Sequence, residues 1–134
     1  MADNKLLDKL KYKDNYRFLV TNPPENFLNR LQGINFALQP EGKKYAIALT
    51  FVHSQAEIPN IAQCVINAAD RDAILWFAYP KATGSIKSDI NRDKGWDSLH
   101  ENGYRPVSQI AIDGTWSALR FRHHDFVGTA KDTN

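Results

Sequence analysis

The chain has 134 residues, of which 43% are hydrophobic and 24% charged, and 17 basic against 15 acidic side chains leave a net charge of +2. That length holds one hydrophobic core and one domain, and the composition is that of a folded globular chain rather than a disordered one. The charge is too small and too evenly spread to indicate a nucleic-acid partner, Lys43-Lys44 being only a pair.

Residues 5–10 carry Leu6, Leu7 and Leu10 on one helical face, suited to covering an edge of a sheet. A strand over residues 16–21 (YRFLVT) ends at Asn22-Pro23-Pro24. Prolines give no amide to a ladder but suit the first turn of a helix. Phe27, Leu28 and Leu31 make the apolar face of that short helix, and Gly33 stops it. Residues 34–38 (INFAL) read as a weak strand, and Gln39-Pro40-Glu41-Gly42 as a turn.

Residues 45–52 (YAIALTFV) form a near-continuous apolar run, the mark of a strand buried on both faces. Ser54 and Glu57 then have the spacing of a capping box, and Ile58, Ile61, Ala62, Val65, Ile66 and Ala69 recur at helical spacing. Pro59 leaves two readings, a kink or a helix that begins near it. Cys64 lies among these apolar residues and reads as an inert core thiol. As the one cysteine it excludes an internal disulfide and a cysteine metal cluster.

The stretch over residues 73–93 organises the chain. Ile74 to Tyr79 form a second two-sided buried strand that stops at Pro80. Lys81 to Ser88 make a loop, and Asp89 or Asn91 can cap a helix over residues 91–102, with Trp96 and Leu99 facing inward and Gly103 ending it. Residues 107–112 read as a strand, Asp113-Gly114-Thr115 as a tight turn, and residues 116–122 as its antiparallel return. Periodicity fades near His123, so the domain is expected over residues 1–123 with a flexible tail over 124–134. The N-terminal MADNKLLDKLKYKD lacks the apolar core of a secretory signal, and no run of about 18 apolar residues could span a membrane, so a cytoplasmic setting is expected.

Strands alternating with helices predict an α/β fold, a single-domain three-layer Rossmann-like sandwich with a mostly parallel sheet and a C-terminal antiparallel hairpin. The order of elements resembles Rossmann-like methyltransferase domains shortened by at least one strand-helix unit. The motifs LLDKLKY, NPPENF, TFVHSQAE, ILWFAYPKATGSIKSDINRD and DGTWSALRFR also resemble, in order and spacing, a family of small bacterial proteins built on a domain of unknown function. The matching positions run from Phe51, Val52, Ser54 and Glu57 through Leu75, Trp76, Pro80, Lys81, Asp89, Arg92 and Asp93 to Asp113, Thr115, Trp116, Ser117, Leu119, Arg120 and Phe121. Asn26 stands where that family commonly has glycine. The resemblance implies a fold and carries no activity.

In an open parallel sheet the ligand crevice lies beyond the carboxyl ends of the strands. The candidate ligand-binding residues there are Asn22, His53, Lys81, Ser85, Asp89, Arg92, Asp113 and Trp116. Lys81 is the most pointed, a cation directly after a buried strand and suited to a phosphate or carboxylate. Its competing reading is an ion pair with Asp89 or Asp113. Ser54, His53 and Asp113 lack the nucleophile elbow a hydrolytic triad needs. His123-His124-Asp125 is read as no metal site, because neighbours on an extended chain point to opposite sides.

Asn22-Pro23-Pro24 resembles the start of the Asn-Pro-Pro-aromatic motif of amino-group methyltransferases, but Glu25 occupies the aromatic position. The turn also lacks the glycine that lets backbone approach a cofactor. The leading expectation is a non-catalytic domain, with no cofactor, that binds a small anionic ligand or a protein partner; the alternative is a methyltransferase-like enzyme. A third reading docks an exposed Trp116 or Phe126 on a neighbouring protein.

Overall fold

A computed structural model describes residues 2–127. The elements are α1 (Asn4–Leu10), β1 (Phe18–Thr21), β2 (Tyr45–Phe51), α2 (Ile58–Ala68), β3 (Ala69–Pro80), α3 (Asp97–Glu101), β4 (Tyr104–Ala111) and β5 (Trp116–His123), with 3-10 turns at Phe27–Leu31, Gln55–Glu57 and His124–Phe126. One sheet holds the strands in the order β1-β2-β3-β5-β4. β1, β2 and β3 are parallel, while β5 runs antiparallel to both β3 and β4. Four strands therefore point one way and β5 alone opposes them, the mixed Rossmann-like arrangement expected from the sequence. No helix among the described residues is long and apolar enough to cross a membrane.

The two apolar runs lie side by side in the middle. Leu75, Phe77 and Tyr79 pack with α2 and α3 on one face, while Trp76 and Ala78 pack with α1 and the Phe27–Leu31 turn on the other. Burial on both faces is why neither strand alternates polar with apolar residues. The Trp76 indole N–H, buried with its ring, donates to the Leu10 carbonyl at 2.9 Å and so fastens α1 to the sheet. α1 thus covers a sheet face rather than an edge, and Asp3 caps it by accepting from the Leu6 amide at 3.1 Å.

Local structure departs from the sequence reading at several further places. The strand expected over residues 34–38 shrinks to one parallel bridge, in which Ala37 exchanges hydrogen bonds with β1 before Pro40 turns the chain away. The helix after Asn22-Pro23-Pro24 is only a 3-10 turn, entered through Asn26 at φ 70°. Ser54 makes no side-chain cap: Glu57 reaches back to the His53 amide, and α2 begins at Ile58 with Pro59 in its first turn, the second of the two readings of Pro59.

Cys64 is exposed, because α2 buries Ile58, Ala62, Val65 and Ala68 and leaves Cys64 on the outer side with Asn60, Gln63 and Asn67. The helix expected over residues 91–102 is reduced to Asp97–Glu101. Asn91 and Lys94 close a small bridge before it, and Gly95 at φ 110° breaks the helical path. A Cβ at Gly95 would also come within 3.1 Å of the Gln55 side chain. Residues 124–127 continue β5 into a 3-10 turn, and the remainder of the tail expected over 124–134 lies outside the described residues.

Candidate functional site

β1 is where the chain changes direction. The Ala37 segment pairs on its outer side and β2 on its inner side. The way out passes the face that holds Phe27 and Leu31. The way back, residues 40–44, runs beside the C-terminal end of α2, where Pro40, Gly42, Lys43 and Lys44 share a cavity with Cys64 and Asn67. Crossing out over one face and back over the other, to opposite sides of β1, makes a topological switch point, with its crevice at the carboxyl ends of β1 and β2. There the Thr21 hydroxyl donates to the Thr50 hydroxyl at 2.8 Å, and Asn22 turns the chain at φ 54°.

Beyond β2, the exposed His53 ring stands edge-on to Trp116 at 5.2 Å, with Nδ1 3.7 Å from Glu57 Oε1. Beyond β3 the loop folds back on the hairpin: the Lys81 amide donates to the Thr115 carbonyl at 2.8 Å, and the Gly84 amide to the Lys81 carbonyl at 3.0 Å. The folded loop borders an open cavity of about 480 Å³ lined by Lys81, Lys87, Lys94, Ser88 and Asp89 among others. That is within the usual size of a small-ligand site, about 300–1,000 Å³. None of the three ammonium groups has an ion-pair partner among the described residues. The one lining carboxylate, Asp89, accepts from the Gln55 amide at 2.8 Å, which ties the loop to the turn before α2.

The candidate residues therefore fall into separate groups. Lys81 and Asp89 share the loop cavity, and Ser85 lies in the same loop without lining it. Arg92 lines a different, smaller cleft with Asp93 and Gln109. The Tyr79 hydroxyl accepts from Gln109 Nε2 at 2.8 Å. Burial pushes the Tyr79 phenol up, against the Ser117 hydrogen bond and the Arg92 charge that pull it down.

Asp113 does not line the cavity: its Oδ1 accepts from the Thr115 and Trp116 amides at 2.8 and 2.9 Å, while Oδ2 stands 3.6 Å from Arg30. It therefore neither joins a triad with His53 nor pairs with Lys81. Trp116 is buried against Phe51 and His53 and offers no exposed ring for docking. Sequence reading missed Lys87 and Lys94. The only signal was three lysines flanking one loop, and it acquires meaning once the loop closes on itself.

The His123-His124-Asp125 side chains do come together, because the 3-10 turn bends the chain where extended backbone would have alternated them.

No family model matches the sequence, and no curated protein matches it either. Solved structures match in fold. Magnesium protoporphyrin IX methyltransferase from Synechocystis PCC 6803 with bound SAM is 12% identical at a TM-score of 0.55, over 90% of this chain and 77% of that one. A protein in the NADB-Rossmann superfamily from Streptococcus agalactiae is 11% identical at 0.55, over 92% and 69%. TehB from Haemophilus influenzae is 7% identical at 0.54, over 90% and 62%. The chain spans only 39% to 62% of the length of several matched structures. At these identities the likeness is one of fold: the chain has a Rossmann-like α/β architecture like that of the matched SAM-dependent methyltransferase structures.

Proposed function

We propose that the chain works as a shortened methyltransferase-like domain that holds a small anionic ligand in the cavity beyond β3. The observation that carries the ligand class is the set of three lysines, Lys81, Lys87 and Lys94, that have no ion-pair partner among the described residues and line a cavity of about 480 Å³. Its single carboxylate is already engaged by the Gln55 amide. An anion there gains from all three ammonium groups without displacing an existing ion pair, and phosphate is a ligand that lysine binds well. Arg92, Ser85 and Asp113 stand outside this cavity and are left out of the proposed site.

A second reading, methyl transfer from S-adenosylmethionine, is favoured by the SAM-bound methyltransferase matched over 90% of the chain. The turn after β1 also supports it: Asn22 and Asn26 adopt φ of 54° and 70°, the left-handed conformation that glycine would otherwise supply. The donor would then sit at the switch point near Thr21, Asn22 and His53.

A thermal-shift panel separates the two readings. Inorganic phosphate and sugar phosphates should raise the melting temperature of the wild type, and Lys81→Ala/Lys94→Ala should abolish that rise. Stabilisation by S-adenosylmethionine that survives this double substitution would replace the first reading with the second.

A further inference from the structure

At the opposite end of the sheet from the lysine cavity, the structure assigns a divalent transition-metal site to His123, His124 and Asp125, of the zinc class. β5 ends at His123 and the chain enters a 3-10 turn, so three consecutive side chains gather on one side. His123 Nδ1 lies 3.4 Å from Asp125 Oδ2, and His124 Nδ1 lies 3.5 Å from Asp125 Oδ1. All three residues offer ligand atoms within 4.8 Å of one another. Donors bound to zinc at about 2.0–2.2 Å in a tetrahedron stand about 3.4 Å apart, a separation each imidazole already has to one carboxylate oxygen, and a shift of one ring brings both onto the same oxygen.

The chemistry of the donors points the same way. His123 Nδ1 accepts from the Asp125 amide at 3.2 Å, so the ring proton sits on Nε2 and Nδ1 keeps the lone pair that a metal would take in place of that amide. Two imidazoles and one carboxylate suit zinc, nickel or copper better than calcium or magnesium, which take oxygen ligands.

The ligands are also backed by structure. The His123 ring packs on Gly103, where a Cβ would fall 2.6 Å from Nε2, and stands edge-on to Tyr104 at 5.2 Å. The His124 amide donates to the Gly103 carbonyl at 2.8 Å, and the two imidazoles stack at 4.5 Å. Three protein ligands leave a coordination position open. His123 and Asp125 also line a cavity of about 350 Å³, together with Tyr104, Phe126 and others.

The test is a calorimetric titration of the full chain, free of any histidine tag, with zinc ion alone. One equivalent should bind. His124→Ala and Asp125→Asn, both at exposed positions, should each weaken binding by at least the about tenfold that even outer-shell partners of a metal cost. His53→Ala and His100→Ala, the other two histidines, should leave it unchanged. Imidazole nitrogen shifts should place the metal on Nδ1 of both rings. The assignment is overturned if zinc does not bind, if His124→Ala and Asp125→Asn bind as the wild type does, or if His53→Ala or His100→Ala removes the binding.

Discussion

The carboxylate of Asp89 accepts a hydrogen bond from the backbone amide of Gln55 at 2.8 Å, across 34 residues of chain. Together with the bonds from Gln55 Nε2 to the Asp89 carbonyl and from the Ser88 hydroxyl to the His53 carbonyl, it fixes the loop after β3 to the turn after β2. Asp89→Ala should lower stability by about 1 kcal/mol through the lost bond. Asp89→Asn keeps an acceptor for Gln55 while removing the charge, so it should hold most of the stability and bind phosphate more tightly. Urea unfolding and phosphate titration of both variants check this, and weaker phosphate binding in Asp89→Asn would count against an anion site.

Trp76 offers a prediction about the other face. Its indole N–H meets the buried end of α1 at Leu10. Trp76→Phe keeps an aromatic ring but leaves that carbonyl unsatisfied, at a cost of about 1–3 kcal/mol. Urea unfolding should show the loss, and hydrogen exchange should show α1 deprotected first. An unchanged midpoint would mean that α1 is held by burial alone.

Asp3, Arg30 and Asp113 link the start of α1, the turn after β1 and the final hairpin. Arg30 donates to Asp3 at 2.8 Å and lies 3.6 Å from Asp113. The hydrogen bond from Arg30, and next the one from the Leu6 amide, hold the Asp3 carboxyl below its usual 3.8. A carboxyl depressed in the folded state contributes stability above its unfolded pKa and loses it as the pH falls through the folded one. Asp3→Asn should therefore cost under about 1 kcal/mol near neutrality, the scale of a solvent-screened pair. The gap to wild type should close as the pH drops below 3.8. Denaturant midpoints measured across that range would show it, and a gap that widens with acid would contradict it.

Cys64 gives a prediction that reverses the sequence reading. Exposed on the outer side of α2, it should react with a thiol reagent in the native protein as fast as in denaturant at the same pH. Reaction only on unfolding would restore the buried thiol.

What the sequence made legible follows from how strongly each segment was determined. The two-sided apolar runs around Ile47 and Phe77, and Asp113-Gly114-Thr115 between two strands, depend on local pattern and appear as read. The short elements depend on partners far away in the chain. Gly95 ends a helical reading at φ 110°, where an added Cβ would meet the Gln55 side chain, and Ala37 makes one bridge, to Leu19 of β1. The site was half legible for the same reason. Lys81 stood out after a buried strand, but Lys87 and Lys94 join it only because the loop folds back, and Asp113 was drawn into its own turn.

The most direct test of the account is an amide-resolved NMR titration of the wild-type chain with inorganic phosphate. Saturable shifts confined to the loop over residues 81–94 are expected, with Lys81, Gly84 and Lys87 among the largest, and they should be lost in Lys81→Ala/Lys94→Ala. Saturable shifts centred on Asn22 and His53 instead, or none in the loop at any phosphate concentration, would contradict it.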